Sequence, residues 1–154
     1  MKKVIISSDN LRSGNGIASC IMSYYDGLLN HGYQVDFALL SNVPSPHMEH
    51  VEKHGGKIFI YPHNTGKPNK ENAQFIRNIF TKGNYDIVHN NLTGLNGVTF
   101  LRTAQKCGVR NRIHHSHNPR ETSSMKARIR SSLYDPICAM LSTKGLACSS
   151  LAGD

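Results

Sequence analysis

Long apolar runs, paired cysteines and tryptophan are all missing from this sequence. No apolar run approaches the ~20 residues needed to cross a bilayer, and the run after Lys2 and Lys3 is too short for a secretory signal. The four cysteines form no CxxC pair, so we expect buried, inert thiols rather than disulfides or a zinc site. With 154 residues, 38% of them hydrophobic, the chain is expected to form a single cytoplasmic domain over residues 1–154.

Short signatures of several enzyme classes are absent as well. No Gly-Lys-Ser/Thr triplet occurs, which excludes P-loop phosphate binding. The sequence has no GxSxG nucleophile elbow and no pair of carboxylates that marks a glycosidase. It also lacks the Asp-x-Asp of a metal-dependent sugar transferase. Any chemistry therefore has to rest on other residues.

Acidic residues are few, and the resulting positive charge is uneven. Residues 1–77 carry eight basic and six acidic side chains and residues 78–154 carry ten and four, so most of the net +8 lies in the second half. Lys126, Arg128 and Arg130 alternate in one segment, which would suit an anionic membrane surface or a phosphorylated substrate as well as a merely solvated face. Without a nucleic-acid motif or basic–aromatic interleaving, we expect no nucleic-acid partner.

What the sequence does contain is a repeated order of helix, glycine, strand and polar tip. Four glycines, at positions 32, 83, 108 and 145, introduce apolar runs that end in Ser, Asn, His or Cys clusters. The repeat predicts an α/β fold with a Rossmann-like parallel sheet flanked by helices, whose ligands sit beyond the carboxyl ends of the strands. The predicted strands cover residues 3–7, 33–40, 57–61, 86–89, 110–115 and 145–148. The predicted helices cover residues 15–30, 47–54, 70–82, 95–106 and 125–142, the last kinked or divided at Pro136.

The loop after the first strand contains Gly14, Asn15 and Gly16 just before a helix. Glycines there let backbone amides approach a diphosphate, and the helix amino terminus favours an anion. A dinucleotide fingerprint would need a third glycine where Ser19 stands and an acid near Ser41, so NAD binding is not expected. An anionic ligand and a plain tight turn both fit this loop.

Histidines and amides follow two of the later strands. His115 and His117 should face the same side of their strand, because every second side chain along a strand points to the same face. Metal ligands usually come from separate elements with carboxylate support, so we expect no metal here. We expect a histidine that hydrogen-bonds a polar substrate or transfers a proton, with a loop anchored at Asn118 as the alternative. His89 and the amides after it suit a hydroxyl-rich ligand.

Five phrases occur in an order that resembles the amino-terminal half of a glycosyltransferase family 4 enzyme, with the GT-B fold, of the bacterial capsule and exopolysaccharide type. They are Gly14-Asn15-Gly16-Ile17, His31-Gly32-Tyr33-Gln34-Val35, Tyr85-Asp86-Ile87-Val88-His89, Arg112-Ile113-His114-His115-Ser116-His117-Asn118 and Leu146-Ala147-Cys148-Ser149-Ser150. The resemblance implies an acceptor-binding domain of a retaining enzyme that transfers sugar from a nucleotide-sugar to an acceptor hydroxyl. That enzyme would use no metal or other cofactor. Its nucleotide-sugar domain is absent from this chain, so the fragment alone should be inactive.

The same resemblance assigns roles to residues. Gly14, Asn15 and Gly16 would lie against the donor diphosphate, and His117 would contact the transferring sugar. His89, Asn91, His115, Asn118 and the loop 62–68 would shape the side that binds a sugar or lipid-linked acceptor. The basic segment with Lys126, Arg128 and Arg130 would hold the protein peripherally on the inner face of the membrane.

Two departures from the family pattern keep other functions open. Asn15 splits the usual double glycine, and Asn91 stands where many relatives carry a histidine. A flavodoxin-like module that binds a phosphorylated small molecule is one alternative, and half of a sugar-nucleotide epimerase is another.

Overall fold

The computed structural model describes residues 1–65, 69–117 and 125–147. Asn118, residues 66–68 of the 62–68 loop and the Cys148 segment lie outside the described residues. Within them the strands are β1 Lys3–Ser8, β2 Gln34–Leu39, β3 Ile58–Ile60, β4 Ile87–Asn90, β5 Asn111–Ser116 and β6 Lys144–Ala147. The helices are α1 Gly16–Asn30, α2 Pro46–Lys53, α3 Lys70–Gly83, α4 Gly94–Lys106 and α5 Met125–Leu141.

All six strands pair in parallel in the order β3-β2-β1-β4-β5-β6. The chain builds outward from β1 to one edge of the sheet, then crosses back and builds to the other edge from β4. The predicted Rossmann-like α/β fold is confirmed. In such sheets the point where the strand order reverses, here between β1 and β4, opens a crevice at the carboxyl ends.

The sheet has a hydrophobic core on each face, because successive side chains along a strand point to opposite faces. Val4 and Ile6 of β1 pack with Ile21 and Tyr25 of α1. Ile5, which points the other way, packs with residues of α3 and α4 such as Phe100. Both faces of the central strands are therefore covered, as expected for a parallel sheet, and polar chemistry is left to the ends of the strands.

Local side-chain caps set where the helices begin. Asn15 Oδ1 accepts a hydrogen bond from the Ile17 amide at the start of α1, and Asn69 does the same for the Asn72 amide in α3. Ser45 caps α2, with Pro46 at its first position. Such caps satisfy backbone donors that a helix start otherwise leaves open.

One local expectation is narrowed and another was wrong. Of the two alternatives at Pro136, a kink or a division of the last helix, the structure excludes the division, because α5 runs from Met125 to Leu141 as one element with the proline inside it. The glycines that precede the strands are also not alike: Gly32 and Gly108 have φ of 77° and 82°, whereas Asn84 takes the left-handed conformation after α3. A side chain at Gly83 would meet the Tyr85 ring, so glycine is needed there for space. Gly145 lies inside β6 rather than before it.

No helix in the described ranges is long and apolar enough to cross a membrane.

Candidate functional site

The glycine loop lies beyond the carboxyl end of β1 and leads directly into α1. Gly14 has φ of 79°, a conformation that a residue with a Cβ adopts only with strain. A Cβ added at Gly14 or at Gly16 would find no atom within 4 Å, so the space beside this helix start is open. The structure thus presents the amino terminus of a 15-residue helix at the crevice, where the aligned peptide dipoles favour an anion.

Asn90 ties the ends of three strands to the next loop. Its Oδ1 accepts from the Ser7 hydroxyl at 2.8 Å, and its Nδ2 donates to the Leu92 carbonyl at 2.9 Å and to His114 Nδ1 at 3.0 Å. The Leu92 amide donates back to Oδ1 at 3.3 Å. Because Asn90 is fully buried, these bonds form without competition from water and fix the position of the neighbouring Asn91.

The rings of His89, His115 and His117 form a column on the side of β5 that faces away from His114. His89 and His115 have ring planes 11° apart, and His89 Nε2 lies 3.2 Å from His115 Nδ1. The His115 and His117 rings stack with centroids 4.1 Å apart. Tyr24 of α1 packs its ring edgewise on His89 and His115, at 5.8 and 5.5 Å between centroids. The prediction that His115 and His117 share one side agrees with this stacking.

Burial keeps these imidazoles neutral near neutral pH. It is the main cause that lowers the pKa of His89 to about 4, and the neighbouring histidines lower it further. The pKa of His117 falls to about 4 for the same reasons. A neutral imidazole offers one donor and one acceptor, and its neighbours decide which nitrogen carries the proton.

Asn91 fixes the tautomer of His117. His117 Nε2 lies 2.6 Å from Asn91 Oδ1, and an amide oxygen only accepts, so Nε2 donates and the lone pair is on Nδ1. The backbone N–H of Asn91 in turn donates a hydrogen bond to the Ser7 carbonyl at 3.1 Å. The Asn91 Nδ2 group is buried and lacks a hydrogen-bond partner within the part of the chain that the structure describes.

Helix α1 connects the glycine loop to the histidines. Its residues Gly16, Cys20 and Tyr24 follow one another at four-residue spacing, which places them along one row of the helix. Cys20 lies close to His115 and His117: the sulfur and one ring nitrogen of each histidine are all within 4.8 Å of one another. Since Gly16 and Cys20 differ by about 6 Å along a helix axis, the loop and His117 lie at the same edge of the sheet.

Cys20 and Tyr24 are the site residues that sequence reasoning missed. The cysteines were expected to be buried, but Cys20 and Cys107 are only half-buried, so the expected burial was wrong for these two, and Cys20 also lies beside two histidines. Tyr24 was not singled out in the sequence, yet it is 43% exposed and covers the histidine column. The four-residue spacing from Gly16 was the available signal.

The remaining predicted residues lie apart from this cluster or outside the described residues. Residues 62–65, the described part of the 62–68 loop, are held at the start of α3. There the Asn72 side chain accepts a hydrogen bond from the His63 backbone N–H and donates one to the His63 carbonyl. Lys126, Arg128 and Arg130 lie on α5, and their side chains are outside what the structure describes.

A cavity of about 320 Å³ opens at the opposite, amino-terminal edge of the sheet. Lys3, Lys57 and Lys82 line it together with Asp36. Both carboxylate oxygens of the buried Asp36 are already occupied, one by the Tyr85 hydroxyl at 2.6 Å and the other by the Lys57 amide at 2.8 Å. Because Asp36 is satisfied internally and the cavity lies away from the crevice, we take the carboxyl edge of the sheet as the candidate functional site.

Neither protein-family models nor curated proteins match this sequence. Solved structures do match its fold. MurG of Acinetobacter baumannii is 10% identical with a TM-score of 0.68, over 99% of this chain and 42% of that one. Anabaena Alr3699/HepE, solved in complex with UDP and glucose, is 13% identical with a TM-score of 0.70, over 99% and 39%.

The UDP-Glc/GlcNAc 4-epimerase of Campylobacter jejuni shares the fold as well. It is 12% identical with a TM-score of 0.61, over 96% of this chain and 53% of that one. Identities this low establish the fold alone. The chain spans about two fifths of the length of MurG and HepE.

Proposed function

We propose that this chain is the acceptor-side domain of a GT-B glycosyltransferase that moves a sugar from a nucleotide-sugar to an acceptor hydroxyl. The reaction would retain the anomeric configuration and need no metal. One observation carries the proposal: the open amino terminus of α1 lies at the same edge as the oriented His117. The match to HepE, which was solved with UDP and glucose, supports a nucleotide-sugar ligand.

The glycine loop would receive the donor diphosphate. Backbone amides at a helix amino terminus bind phosphate oxygens, and a side chain in the open space at Gly14 or Gly16 would obstruct that approach. Asn15 uses its side-chain oxygen to cap α1, so its contribution to the diphosphate would come from the backbone. The nucleotide itself would be held by the second domain of the enzyme.

His117 would contact the transferring sugar through its Nδ1 lone pair, which can accept a hydrogen bond from a sugar hydroxyl. Asn91 holds the ring for this contact by taking the Nε2 proton. Such preorientation lowers the entropy lost on reaching a productive geometry. Asn91 would also offer its buried Nδ2 donor to the acceptor side, where a ligand oxygen would satisfy it.

His89 and His115 would act on the acceptor side by supporting His117 and Asn91. They are 5% and 1% exposed, which leaves little of either ring for direct contact with a ligand. Asn118, next to His117 in sequence, remains a proposed acceptor contact.

The acceptor is proposed to be lipid-linked and the enzyme to lie on the inner face of an anionic membrane. Four apolar side chains of α5 are exposed along one stripe of the helix: Met125 is 70%, Ile129 63%, Leu133 58% and Met140 83% exposed. The same helix carries Lys126, Arg128 and Arg130. An apolar stripe combined with basic residues is typical of a helix that lies in a membrane interface.

Replacing His117 with alanine in the full-length enzyme tests the proposal. Sugar turnover should fall at least tenfold, about 1.4 kcal/mol of transition-state stabilisation. His31→Ala is the matched control, because His31 is an exposed histidine at the far end of α1. Circular dichroism and thermal melting of both variants would establish that the fold is intact. Near-normal turnover by a folded His117→Ala enzyme would make this residue a structural anchor.

The epimerase reading is the second candidate, because the fold match to the Campylobacter enzyme covers 96% of this chain. It requires NAD, whose ribose is usually held by an acid at the end of β2. Leu39, Leu40 and Ser41 stand there instead. NAD recovered from the purified full-length protein would favour the epimerase, whereas sugar transfer without NAD would favour the transferase.

A further inference from the structure

We propose that Cys20, His115 and His117 form a binding site for a borderline transition-metal ion such as Zn²⁺, and that the bound ion competes with the sugar for His117. This goes beyond the proposed transfer reaction, which needs no metal. The three residues come from two elements, α1 and the end of β5, as is usual for metal sites. The histidines alone offer ligands from one element, and Cys20 adds a ligand from a second element, α1.

The ligand atoms are close enough for one ion. The Cys20 sulfur and one nitrogen from each histidine lie within 4.8 Å of one another. Zinc bonds of about 2.3 Å to sulfur and about 2.1 Å to nitrogen place tetrahedral ligands roughly 3.5 Å apart. Closing the gap takes a movement of about 1 Å, which rotation of the half-buried Cys20 side chain and a small tilt of the His117 ring that keeps its hydrogen bond to Asn91 would provide.

Each histidine already has the kind of outer partner that ligating imidazoles use. A metal-bound histidine commonly donates its other ring N–H to a neighbouring acceptor, which orients the ring. Here His117 Nε2 donates to Asn91 Oδ1 at 2.6 Å, and His115 Nδ1 lies 3.2 Å from His89 Nε2. We propose that the other ring nitrogen of each histidine, Nε2 of His115 and Nδ1 of His117, binds the ion, which requires that His115 Nδ1 carries the proton shared with His89.

The donor set also selects the class of ion. One thiolate with two imidazoles suits Zn²⁺ and Cu ions, while Mg²⁺ and Ca²⁺ prefer oxygen ligands. Binding converts the Cys20 thiol to a thiolate, and its proton passes to water. The described residues supply three ligands, and we propose that the fourth position of a tetrahedral ion faces the crevice, where the sugar is proposed to lie. The ion would occupy the same Nδ1 lone pair that the sugar needs.

Titration of the 154-residue chain with Co²⁺, a spectroscopic substitute for Zn²⁺, tests the site directly. We expect one ion per chain, with the near-ultraviolet charge-transfer absorption of a thiolate–cobalt bond. Cys20→Ser should abolish that absorption and weaken Zn²⁺ binding, measured by calorimetry, at least tenfold. Cys107→Ser is the matched control, because Cys107 is also half-buried but ends α4. Absence of stoichiometric binding, or equal binding by the Cys20→Ser chain, would overturn the site.

Competition is tested separately in the active full-length enzyme. Zn²⁺ should inhibit sugar transfer, and raising the donor concentration should relieve the inhibition. Zn²⁺ that binds through Cys20 without lowering turnover would refute the competition. Because the cobalt spectrum needs no activity, failure of the metal site is distinguishable from failure of the proposed transfer function.

Discussion

Asn90→Ala should destabilise the protein more than an ordinary polar substitution, because Asn90 joins β1, β4 and β5 behind the site. The side chain is fully buried, and its amide makes hydrogen bonds to Ser7, Leu92 and His114. Alanine removes both the donor and the acceptor at once. The partner groups stay where the strands hold them, and water has little access to replace the lost bonds.

The magnitude follows from the number of partners left unsatisfied. Each buried polar group without a partner costs about 1–3 kcal/mol. Ser7 and the Leu92 carbonyl are well buried, whereas His114 is half-buried and can recover part of its loss. We therefore expect a loss of about 3 kcal/mol in the free energy of unfolding, or roughly 6–12 °C in Tm for a domain of this size.

Urea unfolding followed by circular dichroism measures this loss. Asn78→Ala on the exposed side of α3 is the control, and its effect should stay within about 0.5 kcal/mol. A double-mutant cycle with Ser7→Ala should show a coupling energy above about 0.5 kcal/mol, because the two side chains bond directly at 2.8 Å. A loss below about 1 kcal/mol, or no coupling to Ser7, would refute the reasoning.

Two further substitutions test the donor and membrane proposals. Gly16→Ala should lower sugar turnover at least tenfold in the full-length enzyme. Its thermal stability should stay unchanged or rise, because the added Cβ meets no protein atom. The control is Gly27→Ala, which is equally open on the same helix and should leave turnover unchanged. Ile129→Ser should reduce binding to vesicles that contain anionic lipid several-fold in a flotation assay. Equal turnover of the two glycine variants would contradict the donor proposal. Equal flotation of the unchanged protein on neutral and on anionic vesicles would contradict the membrane proposal.

The fold could be predicted closely because its signals are local. Strand β4 was placed at residues 86–89 and β5 at 110–115, and both lie one residue later in the structure. A buried parallel strand requires a short continuous apolar run, and the polar residues after it mark where burial ends. The strand order itself was not predicted, because the right-handed crossover rule fixes the face on which each helix packs only once that order is known. The positions of the strands along the chain do not depend on contacts between distant side chains.

The site was predictable only in part, because side-chain partners depend on how elements pack. Alternation along β5 placed His115 and His117 on one side, and the stacked rings agree. The pairing of His117 with Asn91 joins residues 26 positions apart across neighbouring strands. Its exact geometry depends on which residues of β4 and β5 lie opposite one another, and a strand that is buried on both faces lacks the alternating pattern that would fix this register.

Cys20 shows where local reasoning ends. The buried residues of α1 include Ala18, Ile21 and Tyr25, and they identify the face that packs on the sheet. Cys20 lies about 100° around the helix from Ile21, the nearest of them, so its surroundings depend on how α1 is rotated and shifted against the sheet. In the structure that placement brings the thiol to His115 and His117. The resulting cluster separates the two proposals, because sugar transfer depends on His117 and its Asn91 partner, while metal binding also requires the sulfur from α1.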